Sequence, residues 1–120
     1  MIKKQINSFR YAASGIWAAY KSERNLKIHS VFLLLVILAG VFFEISKIEW
    51  MICIILFGLV ISLELVNTAI EGVVDVIMPE RNPNAKFIKD VAAGAVLFSA
   101  ICAAIIGLMI FVPKLLTLLG

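Results

Sequence analysis

None of the seven glycines in this sequence falls in a GxxxxGK[ST] or GxGxxG pattern, so neither of the familiar glycine-rich phosphate cradles is available. Cys53 and Cys102 each lie alone in an apolar run, with no CxxC spacing and no histidine nearby. That leaves no disulfide or zinc framework, and both read as small core hydrophobes. Charged residues make up only 16% of the 120 positions and hydrophobic ones 62%. An ordinary soluble domain is nearer half apolar, so that class is excluded. A leader-like apolar core is missing behind Met1, since Lys3 and Lys4 are followed by Gln5, Asn7, Ser8 and Arg10; the mature chain is expected to start at Met1. With three prolines, two of them in one short segment, the chain has few places to break a helix.

What remains is an all-α integral membrane protein of one domain. Over residues 3–21, Ile6, Phe9, Ala13, Ile16, Trp17 and Tyr20 recur at three- and four-residue steps, with basic flanks. This predicts an amphipathic helix in the interface plane, too polar to span. Three spans are expected to follow, at about 28–47, 50–77 and 90–112. Glu44 to Glu49 is read as a tight turn with Trp50 at the interface, and the segment Pro79 to Asn84 as a break. The third span is expected to stop at Pro113, and Ala95, Ser99, Ala103 and Gly107 form a small-residue stripe for close helix packing.

The second span carries the chain's most unusual feature. At about 100° per residue, Glu64, Glu71 and Asp75 fall within roughly 40° of one another, and Asn67 lies about 60° from Glu64. No Lys, Arg or His between Trp50 and Met78 neutralises these acids. Ionised groups at membrane depth cost about 2.5 to 3.5 kcal/mol each on insertion scales, so they are read as a functional site whose partners come from other helices. The span is about 42 Å long against a hydrocarbon core of about 30 Å, so its last turns emerge. Glu64, about 21 Å from Trp50, is then inside the far face, with Glu71 and Asp75 at or beyond it.

Six of the eleven Lys and Arg precede the first span and three lie in the second loop, leaving Lys47 and Lys114 on the other side. The N-terminus and the second loop are therefore expected to be cytoplasmic. Carboxylate pairs at that interface suit Mg²⁺, which takes one or two carboxylates and completes its shell with phosphate oxygens and water. Glu64 lies at the depth where a base for a lipid hydroxyl is needed. No nucleic-acid partner is expected. Glu23 is the only acid before Glu44, and its bland reading is a surface charge paired with Arg24 or Lys27.

The run Leu63 to Glu71 with Val73-Val74-Asp75, Lys89-Asp90 ahead of the third span and Glu23 ahead of the first resembles the prokaryotic diacylglycerol kinase family over nearly the whole chain. Glu23-Arg24-Asn25, His29, Glu49-Trp50-Met51, the run Ser62 to Ile70, Ala92 to Val96 and Pro113-Lys114 resemble its Gram-positive branch, the undecaprenol kinases. The resemblance implies a homotrimer with composite sites between subunits in the bacterial cytoplasmic membrane, and ATP as phosphoryl donor. It implies Glu64 as base with Asn67 beside it, and Glu23 and Glu71 as the Mg²⁺ carboxylates, against the bland reading of Glu23. ATP contacts would fall on Tyr11, Glu23, Glu71, Asp75, Glu80, Arg81, Asn82, Lys89 and Asp90. The lipid alcohol, undecaprenol or else diacylglycerol, would meet Glu64 and a rim of Lys4, Trp17, Tyr20, Asn25, Ile28 and His29. Lys4 stands where the better-known diacylglycerol kinases have an Arg, Ser14 where they have a basic residue and His29 where they have an acid, changes that bear on the lipid.

Two other classes compete. A proton or ion translocator would use buried acids, but needs access from both sides, and Trp50 to Leu63 is apolar apart from Ser62. A structural assembly subunit leaves the acids unexplained.

Overall fold

The computed structural model describes residues 1–120 and consists of four helices: α1 (Ile2–Ser22), α2 (Arg24–Phe42), α3 (Lys47–Ile77) and α4 (Pro83–Leu119). The last three are long and apolar enough to cross a membrane. Only Glu23, in extended conformation, separates α1 from α2, so the chain turns a corner there without Gly or Pro.

The helix of the first expected span ends at Phe42, short of 47, because the chain closes it with a Schellman turn. The Ile45 N–H donates to the Gly40 carbonyl and the Glu44 N–H to the Val41 carbonyl. Glu44 takes the left-handed position at φ 49°, where glycine is usual. Ile45 turns inward and is buried with Cys53 and Ile110. Helix α3 then starts ahead of Trp50 with a capping box: the Glu49 N–H donates to Ser46 Oγ at 3.1 Å and the Ser46 N–H to Glu49 Oε1 at 3.0 Å. Trp50 folds back on α2 at Gly40, where a Cβ would meet the indole at 2.6 Å.

On α3 the buried positions Cys53, Val60, Asn67 and Val74 recur every seven residues, the spacing that keeps one seam on a neighbouring helix. That neighbour is α4, which makes the most extensive contact in the molecule. The short connection Met78 to Asn82 forces the two helices antiparallel. Asn82 caps α4, its Oδ1 accepting from the Asn84 and Ala85 N–H groups at 2.7 and 3.3 Å, with Pro83 in the first turn where its missing N–H costs nothing. Lys86, Lys89 and Asp90 thus ride on the helix, which starts well before 90.

Two further expectations change. The small-residue stripe is only partly an internal seam: Ser99 is buried and Ala103 and Gly107 are half-buried, while Ala95 is exposed. A step of four overshoots a turn by about 40°, so such a row drifts off the seam, which runs instead through Ala92, Val96, Ser99, Ala103, Ile106 and Ile110. Nor does α4 stop at Pro113. Proline there leaves the Met109 carbonyl without its helical donor, a loss that membrane helices offset with side-chain and local adjustments. Beyond it Lys114 Nζ reaches Glu49 Oε2 at 2.9 Å, tying the extension to the α3 cap.

The molecule is a slab of 57 × 44 × 21 Å in which only 12 of 120 residues are buried. Leu34, Leu38, Ile54, Ile55, Phe98 and Met109 all face outward. So much apolar surface calls for a hydrocarbon surround or for other copies of the chain.

Two substitutions at the α2–α3 corner are expected to act in opposite directions. Gly40→Ala drives a methyl into the Trp50 ring and is expected to cost about 1 to 3 kcal/mol, whereas Glu44→Gly relieves the left-handed residue by about 1 kcal/mol. Thermal unfolding in detergent reads both, and equal midpoints for the two variants would contradict this account of the corner.

Candidate active site

The site forms where the first turns of α2 meet the C-terminal half of α3. Leu26, His29, Ser30, Leu33, Val36 and Gly40 are buried or half-buried positions of α2, a stripe at three- and four-residue steps that faces α3. Across from it lies Glu64, 1% exposed, with neither carboxylate oxygen hydrogen-bonded. His29 Nε2 is 3.9 Å from Glu64 Oε2, and the imidazole is 20% exposed. One turn further on, Asn67 is buried; its Nδ2 donates to Glu71 Oε1 at 3.1 Å, while its Oδ1 has no partner. Thr68, which sequence reasoning passed over, donates from Oγ1 to the Glu64 carbonyl at 3.0 Å and stiffens that turn.

Nearer the helix end, Asp75 is met from α4 by Lys89, an exposed ion pair that joins the two helices at the loop. Lys86 pairs with Asp90 along α4. Glu80 and Arg81 are exposed in the loop without ion pairs, and Asn82 is engaged in capping. Glu23 sits half-buried at the α1–α2 corner and makes no ion pair with Arg24 or Lys27, contrary to its bland reading.

Along α1, Trp17 and Tyr20 stack with centroids 5.9 Å apart, and Lys21 Nζ lies 5.6 Å from the Trp17 ring. These two aromatics line a shallow, entirely apolar recess with Ala13 and Ile16. Tyr11 and Lys4 are exposed on the same helix, Asn25 and Ile28 on the first turns of α2. The structure thus brings together His29 with Glu64, Asn67 with Glu71, Asp75 with Lys89, and Trp17 with Tyr20. His29, expected on the lipid rim, faces the buried acid. Three residues after Leu26 and four before Leu33, this histidine lies on the inward stripe of α2.

Three long apolar helices with an unpartnered carboxylate sealed between two of them define a polytopic membrane protein with a buried acid–base group. Residues 10–111 match the model of the prokaryotic diacylglycerol kinase family, and the chain belongs to that family. It is 46% identical over 114 residues to a protein of Bacillus subtilis named undecaprenol kinase, covering 95% of this chain and 93% of that one. A Synechocystis protein named diacylglycerol kinase is 41% identical over 93% of this chain, which spans 65% of that protein's length. A Haemophilus influenzae diacylglycerol kinase is 38% identical over 81% of each chain.

A buried carboxylate that receives no hydrogen bond is a stability liability kept for another reason. Glu64→Leu is therefore expected to raise stability by about 1 to 3 kcal/mol, measured as thermal unfolding in detergent; a lower midpoint would mean that Glu64 holds the helices together.

Proposed function

We propose that this protein transfers the γ-phosphoryl group of ATP to the hydroxyl of a membrane lipid, undecaprenol, giving the lipid monophosphate. The single observation that supports the site assignment is Glu64, a carboxylate with both oxygens free and removed from solvent. Family membership and the undecaprenol kinase relative support the reaction and the acceptor. As the acceptor oxygen attacks the γ-phosphorus, Glu64 takes the hydroxyl proton, the bond from that phosphorus to the β–γ bridging oxygen breaks, and ADP leaves with the electron pair.

The positions of the other residues fit this division of labour. Asn67, one turn beyond the base, is hydrogen-bonded to Glu71 at the polar end of the stripe. Within one chain no three imidazole, thiol or carboxylate groups converge on an ion. Glu71 has a second oxygen free of hydrogen bonds and Glu23 is unpaired, a sparse set of hard donors that suits Mg²⁺ completed by phosphate oxygens and water. Glu23 and Glu71 would hold the ion, which when bound neutralises charge on the phosphates. Asp75, Lys89, Asp90 and the loop Glu80-Arg81-Asn82, with Tyr11 on α1, are the nucleotide contacts of this reading. The apolar recess at Trp17 and Tyr20, with Lys4, Asn25 and Ile28, is its lipid side. The helix α1 lies along the cytoplasmic interface of the bacterial cytoplasmic membrane, with the second loop on the same side.

Diacylglycerol is the second reading, carried by the names of the Synechocystis and Haemophilus relatives. Its two ester groups need polar partners, and the surface of the recess is almost wholly apolar, so any ester group left unpaired there costs about 1 to 3 kcal/mol. Purified protein given labelled ATP, Mg²⁺ and both lipids in the same micelles is expected to label undecaprenol, with Glu64→Gln losing turnover while still binding ATP. A tenfold or greater preference for diacylglycerol in kcat/KM would overturn the acceptor, and near-normal turnover in Glu64→Gln the base.

The exposed apolar faces support a homotrimer whose sites draw residues from neighbouring subunits. Native mass measurement in detergent is expected to give three chains, and a fully active monomer would end that proposal.

A further inference from the structure

The proposed reaction leaves a proton on Glu64 in every cycle, and that proton has no evident exit. The carboxyl group is 1% exposed and receives no hydrogen bond. Thr68 is turned to the Glu64 backbone carbonyl, Asn67 Nδ2 is engaged by Glu71, and Lys89 by Asp75. One side chain capable of carrying a proton stands beside it. His29 Nε2 lies 3.9 Å from Oε2, within a small side-chain adjustment of hydrogen-bond distance, and its ring is 20% exposed where Glu64 is not. The ring sits near the start of α2, within two turns of Arg24 and Lys27, which are exposed.

We propose that His29 is the positioning and proton-relay partner of Glu64, a role that rests on the kinase reading with Glu64 as base. After phosphoryl transfer, the proton on Glu64 Oε2 passes to His29 Nε2, and the imidazolium releases its Nδ1 proton to water at the interface. The carboxylate is regenerated, one proton leaves with each ADP formed, and proton exchange with water returns the ring from the Nε2–H to the Nδ1–H tautomer, so that Nε2 can accept again. An imidazole suits this step because it accepts on one nitrogen while releasing from the other. In its Nε2–H form the ring instead donates to the ionised carboxylate and holds Glu64 toward the acceptor hydroxyl. A glutamine of similar size would keep the orienting hydrogen bond and lose the relay.

The test uses the full-length protein in mixed micelles with undecaprenol and Mg²⁺-ATP. His29→Ala is expected to lower kcat about tenfold or more with the KM for lipid and for ATP nearly unchanged, and added imidazole to restore several-fold of the loss in a concentration-dependent way. His29→Gln, the variant closest in volume, is expected to stay low in kcat and bind ATP normally. An unchanged kcat in His29→Ala, a loss confined to the lipid KM, no response to imidazole, or full activity in His29→Gln would each overturn the relay. If the unaltered protein phosphorylates no lipid, the kinase reading falls with it; a defect seen only in the His29 variants, without rescue, removes the relay alone.

Discussion

A carboxylate enclosed by hydrocarbon is the constraint on which this fold depends. Burying a charge without a partner costs several kcal/mol even after relaxation, so a helix that carries Glu64 at membrane depth is tolerated only if other parts of the chain stabilise it. Helix α3 meets that demand with a long apolar seam. Val60 and Val74 flank the polar pair Glu64 and Asn67 one to three turns away, and α4 covers the same line of residues. The imidazole of His29 enters from α2 at the one level where α3 is polar inside.

The two ends of the helical hairpin are built differently. At the Trp50 end, the Schellman turn, the Ser46–Glu49 capping box, the indole seated on Gly40 and the Lys114–Glu49 pair lock α2, α3 and α4 into one corner. At the other end α1 joins α2 through a single extended residue and buries none of its side chains. Polar groups with unused hydrogen-bonding capacity collect at this looser end. The Trp50 corner is tied by these contacts, whereas the α1–α2 corner has no side-chain cap.

The helices themselves were legible because long apolar runs and paired prolines are strong signals, and the acid stripe was legible because nothing basic interrupts it. Boundaries were not. Phe42 ends α2 through backbone bonds to Gly40 and Val41, with a glutamate in the position where glycine would have announced the turn. Pro113 looked like a stop but lies in a helix held on both sides by tertiary contacts. The role of Asn82 as the cap of α4 is likewise a matter of backbone geometry at the loop. Most of the site could be placed on α3 from spacing alone; the His29–Glu64 approach could not, since it depends on how α2 leans on α3.

The seal over Glu64 bears on which nucleophile a kinase of this design accepts. Water is the most abundant hydroxyl at any cytoplasmic site, and a base open to it would activate water as readily as an alcohol, turning the enzyme into an ATP hydrolase. With Glu64 as the proposed base, its 1% exposure withholds that assistance from solvent. Only a hydroxyl delivered on a chain that partitions into hydrocarbon can displace the side chains around it. Selection against the competitor then lies in solubility, before any contact with the headgroup is made.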